Sequence, residues 1–183
     1  MGSEQNQIKK AVANMGTDVN HMTVEDREVL RKKITDKGVM PKDILGMSDA
    51  MVEGLYAQAY RLYNTGKYKE ASQLFRILMM VNVMEPKYAM GFAACFHMMK
   101  EYKSAAEAYT VCSVMDPDNP VPHFHASDCF LQLNDPLAAI IELDMAVQRA
   151  SLRPEFHTLK DRALLMIESI KKDMSEKESN KEK

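Results

Sequence analysis

The sequence predicts an all-α protein that folds as a solenoid, a stack of three similar helix pairs. The 183 residues include only seven glycines and seven prolines, no tryptophan and 16 methionines, a composition that favours helices over sheets. Prolines recur at Pro86, Pro120 and Pro154, in steps of 34 residues. The segments between these prolines align with one another, and each divides into two helix-length halves around a turn.

The three aligned repeats span residues 52–85, 86–119 and 120–153. Equivalent positions hold small residues in two columns and large apolar residues in two others: Ala59, Ala93 and Ser127; Ala71, Ala105 and Ala139; Leu62, Phe96 and Phe130; Phe75, Tyr109 and Leu143. A 34-residue helix–turn–helix repeat with small and bulky residues in this order is the tetratricopeptide repeat (TPR) pattern. The alternative is an unrelated helical bundle with chance spacing, and three repeats in phase argue against it.

The segments outside the repeats complete the predicted architecture. Residues 1–22 are expected to be a flexible N-terminus, and residues 23–51 a helical dimerisation region, after which Ser48 caps the first helix of the repeats. Residues 154–172 have an apolar face that predicts a C-terminal capping helix, as an open solenoid needs. Residues 173–183 have no apolar face and are predicted to form a charged, solvated tail.

Charge, cysteine content and the chain ends limit the possible functions. The 24 basic and 26 acidic residues give a net charge of -2, which argues against a protein that binds nucleic acid or an anionic membrane. Three cysteines without a CxxC pair favour a reducing compartment. The N-terminus lacks the pattern of a secretory signal, and no apolar run has the length of a membrane span. We therefore expect a soluble intracellular protein without stable membrane insertion.

No pattern in the sequence predicts catalysis, a cofactor or a metal site. Glycine-rich phosphate loops, nucleophile elbows and HExxH motifs are all missing from the sequence. His123 and His125 lie two residues apart on a predicted helix and so point to different faces, which disfavours joint metal ligation. We interpret them as surface or groove-lining residues. Cys95 and Cys129 occupy one column, and their expected role is that of small buried apolar residues.

Seven methionines of the first two repeats have two interpretations. They fill the core, or they form an adaptable surface for apolar partners, and both can hold at once. These residues are Met79, Met80, Met84, Met90, Met98, Met99 and Met115.

The concave face of a TPR stack is lined by the first helix of each repeat, and this face is the predicted binding site. Tyr56, Tyr60 and Tyr63 are spaced i, i+4 and i+7 and form one stripe, called here the tyrosine stripe. Such a wall suits apolar side chains of an extended peptide, with the hydroxyls available to its backbone. The alternative is that some of these tyrosines pack beneath the N-terminal helix. The predicted peptide-binding residues share concave columns and are Tyr56, Tyr60, Tyr63, Asn64, Met90, Ala94, His97, Met98, Phe124, Asp128 and Leu131.

Four runs of sequence carry a more specific likeness. They are GVMPKDILGMS at residues 38–48, then LYAQAYRLYNTGKYKEASQLFRILMMVN, YAMGFAACFHMMKEYKSAAEAY and FHASDCFLQL. Over about residues 38–168, in local sequence and in repeat number and order, the chain resembles the class II type III secretion chaperones. These are bacterial translocator chaperones of the SycD/LcrH/IpgC type, also called low-calcium-response protein H.

The resemblance implies a function as well as a fold. It implies a protein of the bacterial cytoplasm, a homodimer through its N-terminal helices, that keeps hydrophobic translocator proteins soluble and competent for export. It also implies that a short P-x-L-x-x-P-like segment of the cargo binds in the concave groove. The tyrosine stripe matches the family's aromatic groove positions, while Met90, His97 and Phe124 correspond by column. Residues 1–37 are longer than the family leads one to expect.

A second function of a different class is a scaffold adaptor that docks the C-terminal tail of a general chaperone or another protein partner. That mode of binding needs a clamp of Lys, Asn and Arg side chains around the terminal carboxylate, placed on the concave columns. Tyr56 and Tyr60 stand where the Lys and Asn of the clamp would be. The sequence therefore favours the secretion chaperone and keeps the adaptor as the alternative.

Overall fold

The computed structural model describes residues 41–181, and in this range the chain forms eight α-helices, one 3₁₀-helix and no strand. The helices are α1 Pro41–Ile44, α2 Asp49–Asn64, α3 Tyr68–Val81, α4 Pro86–Met98, α5 Tyr102–Met115, α6 Val121–Gln132, α7 Pro136–Ala150 and α8 His157–Lys181, with the 3₁₀-helix at Pro154–Phe156. None of these helices combines the length and hydropathy needed to cross a bilayer. The flexible N-terminus predicted for residues 1–22 and most of the helical region predicted for residues 23–51 lie outside the described residues.

The helices pack in sequence order as three hairpins, α2 with α3, α4 with α5 and α6 with α7. Each hairpin also contacts the next one, through α3 with α4 and α5 with α6, and α8 packs against α7. The small residues predicted at the helix crossings, such as Ala59, Ala93 and Ala139, are fully buried. The prediction of an all-α stack of three helix pairs is confirmed.

The turn inside each hairpin has the same backbone geometry. Gly66, Lys100 and Asn134 occupy equivalent positions and have φ values of 78°, 62° and 58°. In each turn the next residue's amide donates to the carbonyl five residues earlier, at 2.9 Å from Lys67 to Leu62, 3.0 Å from Glu101 to Phe96 and 2.9 Å from Asp135 to Phe130. This left-handed C-terminal cap suits glycine and is tolerated by asparagine, whereas lysine is disfavoured there.

The first hairpin begins as the sequence predicts, with Ser48 as the N-cap. Its side chain accepts a hydrogen bond from the amide of Met51 at 3.3 Å. Helix α2 therefore begins at Asp49, three residues before the repeat boundary placed at 52. Helix α4 begins at the boundary itself, Pro86, where the proline occupies a first-turn position that needs no amide donor.

Three buried clusters form a core that runs along the stack. The first lies mainly between α2 and α3, the second between α4, α5 and α6. The third joins Ala139 and Leu143 of α7 to Ala163, Ile167 and Ile170 of α8. Helix α8 thus covers the apolar surface that the last hairpin would otherwise expose.

The C-terminal helix corrects one prediction. The sequence placed the end of this helix at residue 172 and a tail at residues 173–183, whereas α8 continues to Lys181. Met174 packs against the third core cluster, and between 173 and 181 the segment has no glycine or proline to stop a helix. Lys172 and Glu176, four residues apart at 3.9 Å, add a helix-stabilising ion pair.

Candidate peptide-binding groove

An open groove of about 590 Å³ lies along the first helices of the first two repeats, α2 and α4. Its lining residues come from α2, α3, α4 and the two loops that join successive hairpins: Tyr56, Tyr60, Tyr63, Phe75, Glu85, Pro86, Lys87, Met90, Gly91, Ala94, Asp116 and Asn119. Five of the predicted residues meet here, namely the tyrosine stripe, Met90 and Ala94.

The tyrosine stripe has one exposed member and two that also support the core. Tyr60 is 53 % exposed and stacks on Tyr56, with ring centroids 6.3 Å apart. Tyr56 is half-buried and meets Phe75 edge-on at 6.2 Å. Tyr63 is half-buried against Tyr68 at 5.4 Å. Tyr60 is therefore exposed, while Tyr56 and Tyr63 also pack against the first core cluster. The alternative, packing beneath the N-terminal helix, concerns residues outside the described range.

Gly91 shapes the wall of the groove because it has no side chain. A Cβ atom on this residue would lie 2.3 Å from Cε1 of Phe75, far inside van der Waals contact. Phe75 is only 2 % exposed, and its ring fills the space that a side chain at 91 would need. The sequence analysis missed both residues. A glycine in the interior of a helix, where it is ordinarily destabilising, was the available signal for Gly91.

Lys87 is a charged residue of the groove that the sequence analysis also missed. Its Nζ lies 3.0 Å from Oε1 of Glu53 and 4.7 Å from the centroid of the Tyr56 ring. The hydrogen bond to Glu53 raises the pKa of Lys87. The ammonium is therefore paired with a carboxylate and held over an aromatic face.

Further along the concave face, His97 and Asp128 bind each other rather than line the groove. Nε2 of His97 donates to Oδ2 of Asp128 at 2.8 Å, and its Nδ1 accepts from the Tyr109 hydroxyl at 3.4 Å. His125 stacks on Tyr109 with ring centroids 5.5 Å apart. Burial lowers the pKa of His125, and the nearby His97 lowers it further. The concave face is thus apolar along the first two repeats and polar, with internal pairing, towards the third.

The remaining predicted residues also lie outside the groove. Asn64 and Met98 are exposed at the C-terminal ends of their helices. Phe124 and Leu131 are half-buried against the third core cluster, which includes α8. The guanidinium carbon of Arg162, on α8, is 5.3 Å from the Phe124 ring centroid. In the third repeat, these two concave side chains are used to pack the C-terminal helix.

The burial of His123 contradicts the interpretation of this residue as surface or groove-lining. It is 6 % exposed, and its Nδ1 donates to Oε2 of Glu142 at 2.7 Å. The half-buried Glu142 carboxylate on α7 pairs with one ring nitrogen, a contact that the sequence does not reveal, while the buried Nε2 has no hydrogen-bond partner among the described residues. Within residues 41–181, no three His, Cys, Asp or Glu side chains lie close enough together to hold a metal ion.

The cysteines behave as buried apolar residues. Cys95 and Cys129 are fully buried, as predicted, and so is Cys112. Burial raises the pKa of each of the three thiols to about 12, so the reactive thiolate is scarce at neutral pH.

The seven methionines of the first two repeats differ in their exposure. Met80, Met84 and Met98 are exposed. The other four are half-buried: Met79, Met90, Met99 and Met115. The half-buried members agree with a role in packing, and an adaptable surface for apolar partners stays a prediction for the exposed ones.

Comparison with known proteins places these features in a family. A tetratricopeptide repeat model matches residues 52–79 and 86–119. The chaperone protein SicA of Salmonella typhimurium is 31% identical over 147 residues, covering 80% of this chain and 87% of SicA. The low calcium response locus protein H of Yersinia pseudotuberculosis is 32% identical over 125 residues, covering 68% of this chain and 74% of the relative.

Structures of PcrH and SycD are among the solved structures that are similar to this one. PcrH of Pseudomonas aeruginosa, in complex with the chaperone binding region of PopD, has a TM-score of 0.67 and 31% identity, covering 70% of this chain and 97% of PcrH. The type III secretion translocator chaperone SycD of Yersinia enterocolitica, described as an alternative dimer, has a TM-score of 0.65 and 32% identity, covering 69% of this chain and 96% of SycD. The predicted TPR fold and the resemblance to translocator chaperones are confirmed.

Proposed function

Because this chain belongs to the family of type III secretion translocator chaperones, we propose that it binds hydrophobic translocator proteins and keeps them soluble and competent for export. The site is the groove along α2 and α4, and the ligand is a short extended segment of the cargo. The relatives are chaperones rather than enzymes, and we propose that this chain acts by binding, without a cofactor, in the bacterial cytoplasm.

The observation that carries the proposal is the exposure of Tyr60 inside an apolar groove. An aromatic ring that is 53 % exposed, flanked by Tyr56 and Met90, offers a large apolar surface that a ligand can cover. Leucine and proline side chains of a P-x-L-x-x-P-like segment suit such a wall, because both bury apolar area against aromatic faces. PcrH, with a comparable fold, is in complex with the chaperone binding region of PopD.

The adaptor function is less well supported. A clamp for a terminal carboxylate needs free cations, whereas Lys87, the cation that lines the groove, is paired with Glu53 at 3.0 Å. Tyr56 and Tyr60 occupy the clamp positions on α2. The groove offers apolar contact in place of a charge clamp.

Truncation of Tyr60 tests the groove directly. We expect Tyr60→Ala to weaken binding of a labelled P-x-L-x-x-P peptide about thirty-fold, equivalent to about 2 kcal/mol, because an aromatic anchor is lost. The melting temperature should change little, because the ring is exposed. Fluorescence anisotropy and thermal melts provide the two measurements.

The matched control is Ile141→Ala, which removes an exposed apolar side chain on α7, outside the groove. It should leave peptide affinity unchanged. Unfolding of Tyr60→Ala would make this tyrosine a core residue, and normal peptide binding by the variant would place recognition elsewhere.

We further propose that the protein is a homodimer through residues 23–51, of which residues 23–40 lie outside the described range. Leu30 and Ile34 are four residues apart on the predicted helix and supply its apolar face. The full chain with both changed to Glu should become monomeric by light scattering. The matched control, Lys33→Glu, should remain dimeric. A wild-type protein that is monomeric at all concentrations would contradict the proposal, and so would a variant that keeps the dimer mass.

A further inference from the structure

The loop between α5 and α6 brings a carboxylate to the edge of the groove. Asp116 ends α5, is half-buried and lines the groove together with Asn119. The Asn119 amide donates to the Asp116 carbonyl oxygen at 3.1 Å, and its Nδ2 donates to Oδ2 of Asp116, also at 3.1 Å. Oδ1 of Asn119 accepts from the Val121 amide at 3.0 Å. These bonds leave Oδ1 of Asp116 available and set the direction of the carboxylate.

A second helix holds the same loop in place. Nε of Arg149, on α7, donates to the carbonyl oxygen of Pro117 at 2.8 Å. The loop is therefore tied to α7 through Arg149 and to the start of α6 through Asn119. A carboxylate that is already oriented loses little conformational entropy when a ligand binds.

The charges around the groove do not cancel. Glu85, Lys87 and Asp116 are its ionisable acidic and basic lining residues. Lys87 is paired with Glu53, and the Glu85 side chain accepts from the Lys87 amide at 3.4 Å as the cap of α4. Among residues 41–181, Asp116 has no cation within ion-pair distance. The groove therefore has two carboxylates without a cation partner among residues 41–181: Glu85, which caps α4, and Asp116, whose Oδ1 can pair with a ligand.

The position of Asp116 is not repeated along the stack. The equivalent residue is Asn82 after the first repeat and Ala150 after the third. The other carboxylate of the groove, Glu85, is engaged as the cap of α4, whereas Asp116 lies on the α5–α6 loop with one oxygen free, so the two sides of the groove differ. Such asymmetry distinguishes the two directions in which an extended peptide could lie.

We propose that Asp116 selects the cargo: the segment bound in the groove has a lysine or arginine whose cation reaches Asp116 while its apolar residues contact the tyrosine stripe. This inference rests on the proposed function and adds a charge requirement to it. A charge-assisted hydrogen bond compensates the half-buried carboxylate, whereas an acidic residue at the same place is repelled. The pairing also fixes the direction and register of the segment.

The test measures binding of synthetic peptides to the full chain by fluorescence anisotropy at low ionic strength. Fluorescein-labelled dodecapeptides contain a P-x-L-x-x-P core, and a lysine is moved through the other positions, with glutamine and glutamate peptides as counterparts. At the matching position we expect the lysine peptide to bind about tenfold tighter than its glutamine counterpart, and the glutamate peptide to bind more weakly than both. Added salt should reduce this preference.

Asp116→Asn should remove the preference for lysine, so that the lysine and glutamine peptides bind with equal affinity. The control is Asp118→Asn, the same change on an exposed residue of the same loop that does not line the groove, and it should keep the preference. Equal weakening of both peptides by Asp116→Asn would overturn the inference, since the residue would then act through the loop alone.

The measurements on the wild-type protein test the inference without any variant. Binding of all peptides with no preference for lysine at any position would overturn the charge requirement and leave the proposed function intact. Absence of binding by every peptide would overturn the proposed function itself, and this inference with it.

Discussion

Ala105→Arg is expected to lower the free energy of unfolding by several kcal/mol and to unfold much of the protein at room temperature. Ala105 is fully buried in α5, within the cluster that joins α4, α5 and α6. Arginine there overpacks a close helix crossing and buries a charge without a partner. Domains of this kind have only about 5–15 kcal/mol of stability in total. Circular dichroism during thermal and urea denaturation measures the loss.

The control is Lys103→Ala, two residues earlier on the same helix, where the side chain is exposed. Its melting curve should match that of the wild type. A shift of only a degree or two for Ala105→Arg would mean that the face assigned to the core of α5 is wrong.

Gly91→Ala is expected to destabilise the protein by about 2 kcal/mol, although alanine is the better helix former. The new methyl group would lie 2.3 Å from the Phe75 ring, so either the ring or the helix must move. Since Gly91 and Phe75 both line the groove, peptide affinity should fall as well. Urea denaturation and peptide anisotropy measure the two effects.

Gly54→Ala is the matched control, because Gly54 lies in α2 and a Cβ there would meet nothing within 4 Å. This substitution should stabilise the protein by about 0.5–1 kcal/mol. Phe75→Leu should recover part of the loss when combined with Gly91→Ala, because it frees space at the contact. The same sign of effect for both glycines would show that Phe75 does not limit the space at Gly91.

The 34-residue period predicted most of the fold, because equivalent positions meet equivalent packing demands. A crossing such as that at Ala105 accepts only small side chains, and a turn such as that at Gly66 needs a left-handed residue. The packing demand recurs in every repeat and gives a periodic pattern of small residues, whereas the turn position holds glycine, lysine and asparagine in the three repeats. The extension of α8 beyond residue 172 left no periodic trace, because the packing of Met174 against the third core cluster imposes no repeating pattern on it.

The groove was predicted only on its helical side. The tyrosine stripe is visible as a spacing of three and four residues within one helix. Asp116 and Asn119 lie on a loop, and their approach to the groove depends on how successive hairpins stack. The pairing of His97 with Asp128 joins residues 31 apart on two helices, a contact that no local pattern reveals.

The shared geometry of the turns at Gly66, Lys100 and Asn134 has a consequence for how the chain folds. Each turn is closed by a hydrogen bond between residues five apart, so a hairpin can form from its own 34 residues without waiting for distant chain. Chains dominated by such local contacts fold quickly, and each repeat can dock on the one before it as it leaves the ribosome. A protein that shields other chains from aggregation would itself spend little time unfolded.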